Sequence, residues 1–305
     1  MELNIISSYE SGQERVVYHK VDEAKYQAFK RLASELGMTF SNKGAEKKQH
    51  DSRDKTKGIS LHEQGYDLRH WSIQLATGHL QLENVPLEVK GLVLALSSLM
   101  KPKAKGKLSG SNREGLSIKG ISDKLNCNIK TLRPLLQDAE LYGMIQLEKV
   151  GKESHCFLES EFYQCGRSKE ADDFIKVFQA KMLEIVQSKK LNFTELGILS
   201  VLLNHMHYES HIICEDPTSP LYSEMKVWRP QNIADKLLVD IQAVRRTLRK
   251  FNQQGITVEM KAYGIKTIIL NPEMFSRQKL KIDMDKLKEV ANREKGNLTR
   301  KNYFK

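Results

Sequence analysis

The chain has 305 residues, enough for two or three domains that each bury a core. At 40% hydrophobic and 29% charged it has a globular composition, but 49 Lys+Arg against 38 Asp+Glu leave a net charge of +11. That surplus points to a polyanionic partner, while the longest apolar runs, residues 92–96 and 198–203, are too short for a transmembrane span.

In chain order, residues 1–40 begin with neither a basic n-region nor an apolar h-region, so no signal peptide is expected. Val16-Val17-Tyr18 reads as a short strand, and residues 22–36 as a helix with Tyr26, Phe29, Ala33 and Leu36 on one side. Together they make a small N-terminal α/β region. Residues 41–60 are polar and charge-dense, the composition of a flexible linker. Within 61–83, Trp71-Ser-Ile73-Gln-Leu75 and Leu80-Gln-Leu82 alternate around Thr77-Gly78, which predicts a hairpin.

Residues 84–166 open with an apolar helix over 86–100. A short helix around 121–125 and a three-residue turn follow. Asn128 then caps a third helix whose inward face is Leu132, Leu136 and Ala139. Gly143 ends that helix, and residues 145–150 and 155–158 flank a turn at Gly151 as a β-wing. Pro134 removes a backbone bond to Lys130 and is expected to bend or shorten the first turn. Residues 167–190 form a connector, amphipathic over 171–189 through Phe174, Val177, Phe178, Met182, Ile185 and Val186. This reads as a rigid connector helix or a dimer helix. Residues 191–277 repeat the earlier order: a helix over 192–206, a short helix over 233–238, and Asp240 as cap. The third helix there buries Val244, Leu248 and Phe251, and Gly255 precedes strands at 257–262 and 266–270. Residues 278–305 look helical from Asp283 and then fray into a basic tail.

The order is duplicated. Ile121-Ser-Asp-Lys-Leu125 matches Ile233-Ala-Asp-Lys-Leu237 at an offset of 112, which also pairs Ile129 with Ile241, Arg133 with Arg245, Leu136 with Leu248 and Gly143 with Gly255. The apolar helices match at 106, Gly91-Leu92-Val93 falling on Gly197-Ile198-Leu199, and the wing glycines Gly151 and Gly264 lie at 113. Three ordered blocks with small gaps indicate a repeated module.

On these residues the chain resembles tandem winged-helix DNA-binding proteins, including the replication initiators of plasmids and phages, over residues 84–277. The stretch Ile268-Ile-Leu-Asn-Pro-Glu-Met-Phe275 is similar to the hydrophobic-Asn-Pro segment that follows the wing in some of those initiators. The resemblance implies a mainly α fold with small β-wings (α+β), two tandem winged helix-turn-helix domains, and sequence-specific binding of double-stranded DNA. Replication initiation is the process it suggests. Transcriptional repression is the alternative, because repressors share the module.

With its apolar side turned inward, the third helix of the second copy offers Gln242, Arg245, Arg246 and Arg249, with Lys250 beside them. Arginine and glutamine suit the edges of guanine and adenine. The first copy offers Lys130, Thr131, Arg133 and Gln137, a leaner set suited more to phosphates. Lys152 and Lys266, at the wing tips, are in reach of the backbone or minor groove.

One enzyme reading competes. His205-Met-His207-Tyr208, with His211 and Cys214 nearby, is similar to the metal-and-tyrosine set of DNA-nicking endonucleases. That chemistry needs both histidines on one side of a strand, whereas at a helix end residues two apart diverge by roughly 200°. No Walker-A or GxGxxG loop is present. Cys127, Cys156, Cys165 and Cys214 contain no CxxC pair, which argues against structural zinc or disulfides. The expectation is a cytoplasmic protein that is no enzyme and needs no metal or cofactor. A homodimer through the connector helix or the N-terminal region stays open.

Overall fold

The computed structural model describes residues 6–10, 13–17, 31 and 67–304, apart from 80 (backbone only), 81, 83, 103, 111–114, 152, 167–173, 259, 261–264 and 295. The chain divides into two units, residues 1–64 and 65–305. In the first, β1 (Ile6–Glu10) and β2 (Gln13–Val17) pair antiparallel, Ile6 facing Val17. The expected helix over 22–36, apart from helical Arg31, and the linker lie outside the described residues.

The second unit is a mixed α+β fold with small antiparallel sheets. Its elements fall into two equivalent sets. The first set opens with β3 (Trp71–Leu75), α1 (Ala76–Leu80) and α2 (Leu87–Ser97), then α3 (Ile118–Leu125) and α4 (Ile129–Leu141). It closes with β4 (Ile145–Val150), β5 (Glu153–Leu158) and β6 (Tyr163–Cys165). The second set opens with β7 (Phe174–Phe178), α5 (Gln179–Gln187) and α6 (Phe193–Asn204), then α7 (Pro230–Leu237) and α8 (Ile241–Gln253). It closes with β8 (Thr257–Val258), β9 (Ile269–Leu270) and β10 (Phe275–Ser276). Helix α9 (Met284–Arg293) and a 3-10 turn (Arg300–Asn302) follow.

Capping chemistry starts and stops several of these helices. The Asn192 side chain accepts from the Glu195 amide at 2.8 Å, and the Glu195 carboxylate accepts from the Asn192 amide at 3.0 Å, a reciprocal cap on α6. Asn128 and Asp240 accept from the Lys130 and Ala243 amides, at 2.8 and 2.9 Å, and so start α4 and α8. Gly143 and Gly255 stop those helices, each with φ of +67°.

The two sets are joined by a four-stranded sheet of order β10-β7-β3-β6. At its centre Ile73 faces Lys176, and these two residues hold the same position in β3 and β7. Under that equivalence the pair Trp71–Phe178 becomes Phe174–Leu75, and Gln74–Tyr163 becomes Val177–Phe275; all four pairs are present. A local two-fold axis therefore runs between Ile73 and Lys176. The crossing of α2 and α6 obeys the same axis. A Cβ on Gly91 would fall on the Phe193 carbonyl, and one on Gly197 on the Leu87 carbonyl, so glycine alone permits this approach.

Polar side chains knit sheet to helices. Gln74 donates to the Ser200 carbonyl at 2.9 Å and to Asn204 Oδ1 at 2.8 Å, and the Tyr163 hydroxyl donates to Gln74 Oε1 at 2.8 Å. One continuous core takes Leu92, Leu96 and Leu136 from the first set and Leu199, Leu202 and Phe251 from the second. The two copies thus share a core. A smaller cluster, with Ile212, Tyr222, Val227, Leu287 and Leu298, lies between the 206–229 segment and the C-terminus. None of the described helices is long and apolar enough to cross a membrane.

Four expectations are corrected. The hairpin over 71–82 does not form: β3 runs straight into α1, and its partners are the distant β6 and β7. The connector over 171–189 is not one helix, because residues 174–178 are the central strand β7 and only Gln179–Gln187 is helical. Pro134 does not shorten α4, which runs unbroken through it. Both Lys130 and Pro134 lie on the exposed side, where solvent can supply the missing donor. The basic tail is docked, Tyr303 pairing with Val227.

Candidate nucleic-acid interface

Helices α3–α4 and α7–α8 each enclose a tight corner. Asn126 and Leu238, at equivalent places, turn it in the left-handed conformation with φ of +52° and +53°. In the first copy α5 braces the corner: Gln187 donates to the Lys124 carbonyl at 2.8 Å, and Asn126 donates to the Gln187 carbonyl at 3.0 Å.

On α8, Val244, Thr247 and Phe251 are buried and Leu248 is half-buried, which turns Gln242, Arg245, Arg246 and Arg249 to solvent. None of these three arginines makes a side-chain hydrogen bond or ion pair with a described residue. Lys250 does not join them. Its ammonium sits 2.7 Å from Glu195, the acid of the α6 cap, and ties α8 to α6.

On α4, Leu132, Leu136 and Ala139 are buried, while Lys130, Thr131, Arg133 and Gln137 are exposed. Asp138 and Glu140 are exposed on the same helix, and Glu140 accepts from the Leu147 amide at 2.9 Å. The charges of α4 therefore cancel, whereas α8 carries cations and no acid. A field of one sign attracts polyanions, and a balanced helix does so weakly.

The β4–β5 hairpin turns at Gly151, with φ of +65°, and Val150 faces Glu153 across it. Lys152 lies outside the described residues. Lys266 is exposed, and its carbonyl accepts from the Tyr303 hydroxyl at 3.2 Å.

The histidine cluster is built into the fold. His205, His207 and His211 are buried. His207 uses both ring nitrogens, 2.9 Å from Ser210 Oγ and 2.9 Å from the Ser219 carbonyl. His205 contacts the Cys214 carbonyl at 3.2 Å, with its ring centre 3.9 Å from that of Trp228. His211 contacts the Leu270 carbonyl at 3.3 Å. Burial drives His205 and His211 down to about 4 and lowers His207 as well, so all three are neutral. Among the described residues no group of three His, Cys, Asp or Glu is placed to hold a metal ion.

Reading the sequence by helical faces misses Arg229, Arg300 and Lys301, which are exposed beside α7. A signal for Arg229 was present: the 112 offset sets it on Ser117, the side-chain cap of α3. No protein-family model, curated protein or solved structure matches this chain.

Proposed function

We propose that the chain binds double-stranded DNA sequence-specifically, through two winged helix-turn-helix modules packed back to back. The observation that carries this reading is the surface of α8. Three arginines and a glutamine stand exposed and without ionic partners on a helix fixed from behind by Val244, Thr247 and Phe251. Guanidinium groups pair bidentately with guanine in the major groove, and a carboxamide with adenine. The order helix, corner, helix, hairpin in each set supports the module assignment. Helix α4 offers Lys130 and Arg133, exposed in its N-terminal part and apart from Asp138 and Glu140, and is assigned to phosphates and register.

Titration of a labelled duplex, followed by anisotropy between about 50 and 200 mM salt, tests the reading, because phosphate neutralisation makes affinity fall steeply with salt. A flat plot of log K against log salt overturns it. Footprinting of the DNA beside the chain's own gene then separates two processes. Iterated sites support replication initiation, the process the resemblance suggests, and a single site over a promoter supports repression.

A further inference from the structure

We propose that residues 298–304 complete the second helix-turn-helix as a clamp on the DNA phosphate backbone, with Arg229, Lys266, Arg300 and Lys301 as its cations. This rests on the DNA-binding reading and adds to it a contact surface outside the reading helix.

The segment is latched in place. The buried Asn302 amide donates to the carbonyls of Tyr222, Ser223 and Met225, at 3.2, 2.8 and 3.2 Å. Its Oδ1 accepts from the Thr299 amide at 2.8 Å, and Thr299 Oγ1 accepts from the Lys301 amide at 3.3 Å, which fixes the turn carrying Arg300 and Lys301. Val227 and Tyr303 pair in parallel, with the Val227 amide donating to the Asn302 carbonyl at 2.7 Å.

Next to this latch the segment touches both DNA-facing parts of the second module. The Phe304 carbonyl accepts from Arg229 and from Asn232 in the first turn of α7, each at 3.3 Å. The Arg229 guanidinium lies 5.1 Å from the centre of the Tyr303 ring, whose hydroxyl holds the wing residue Lys266 by its carbonyl. In a helix-turn-helix the first helix crosses the DNA backbone and the wing reaches along it. The tail bridges those two elements.

The charge pattern selects the partner. Arg229, Lys266, Arg300 and Lys301 are exposed, and none forms an ion pair with a described residue. A cap role does not account for Arg229, because the equivalent Ser117 caps α3 by accepting from the Gly120 amide and a guanidinium accepts nothing. Single-sign, unpaired cations held on a rigid turn beside a reading helix fit phosphates, and carry no base information.

The test compares the 305-residue chain with its double variant Arg300→Ala/Lys301→Ala on a selected duplex and on a random one. The clamp predicts equal loss of affinity on both, on the order of tenfold, a log–log salt slope smaller by about 2, and an unchanged melting temperature. The charge-preserving exchange Arg300→Lys/Lys301→Arg restores the slope. Unchanged affinity and slope in the alanine variant, with the wild type binding normally, overturn the clamp alone. Loss on the selected duplex only also overturns it. A wild type that shows no salt-dependent binding overturns instead the DNA-binding reading.

Discussion

Gly91 packs directly on the backbone of Gly197, with no room for a side chain at either position. Alanine normally favours a helix over glycine by about 1 kcal/mol, so the sign of a substitution here is diagnostic. Gly91→Ala and Gly197→Ala are each expected to destabilise by ~1–3 kcal/mol through overpacking. Because both halves draw on one core, calorimetry is expected to show the second unit, residues 65–305, melting in one transition. Two transitions within that unit would mean that the halves fold independently.

Acid is expected to destabilise the second unit, through histidines buried in its second half. His205 and His211 are held at about 4 by burial, against 6.5 for the free side chain, and His207 is lowered too. Their folded values lie below their unfolded ones, so this contribution is complete above about 6.5 and is lost as pH falls toward 4, where the unfolded chain takes up protons that the fold refuses. Urea midpoints measured from neutral pH downward check this. His211→Asn, neutral throughout and tolerant of the left-handed backbone at that position, is expected to flatten part of the decline.

Under the proposed DNA binding, α4 and α8 are expected to respond differently to substitution. Arg245→Ala or Arg249→Ala relaxes base preference, at ~1–3 kcal/mol for a guanine contact. Arg133→Ala lowers affinity about equally on cognate and random duplexes. Selection from a random duplex library by each variant reads the difference. The reverse pattern would exchange the roles of α4 and α8.

Much of this fold was legible because the modules carry local chemistry. Asn128, Asp240, Gly143 and Gly255 mark helix ends through their own side chains or lack of one, and the burial of Leu132, Leu136, Val244 and Phe251 follows from helical spacing. The sheet was not legible, since β3 pairs with strands about ninety or more residues away and apolar runs of five residues suit a strand or a helix equally. Residues 174–178 read as the start of an amphipathic helix for that reason. A fourth repeat block follows the three: Leu158-Glu-Ser-Glu-Phe-Tyr163 lies on Leu270-Asn-Pro-Glu-Met-Phe275 at the same 112 offset, and the two segments make the same pattern of backbone hydrogen bonds. At the site, the exposed faces of α4 and α8 followed from periodicity. Lys250 was misplaced because its partner Glu195 sits on another helix, and the tail was misread because Asn302 finds its three carbonyls only in the folded chain.

The presence of two modules in one chain also bears on the proposed DNA binding. With α4 and α8 both carried by one polypeptide, one chain is expected to cover two half-sites. Their sequences differ, as Gln242, Arg245 and Arg249 differ from Lys130, Arg133 and Gln137. Light scattering on a minimal selected duplex checks the stoichiometry. A strict need for two chains per site would refute this arrangement.

The contact between Ile73 and Lys176 could not exist in a true homodimer. Around an exact axis the two facing positions would hold one residue twice, isoleucine on isoleucine or ammonium on ammonium. Within a single polypeptide the pair is free to differ. Here Lys176 sends its ammonium to the Lys279 carbonyl at 3.0 Å and lies 4.7 Å from the centre of the Trp71 ring, while Ile73 stays apolar. Covalent linkage of the halves thus releases every position near the axis from mirrored duty. The docked tail, which packs on one half alone, is what such freedom allows to accumulate.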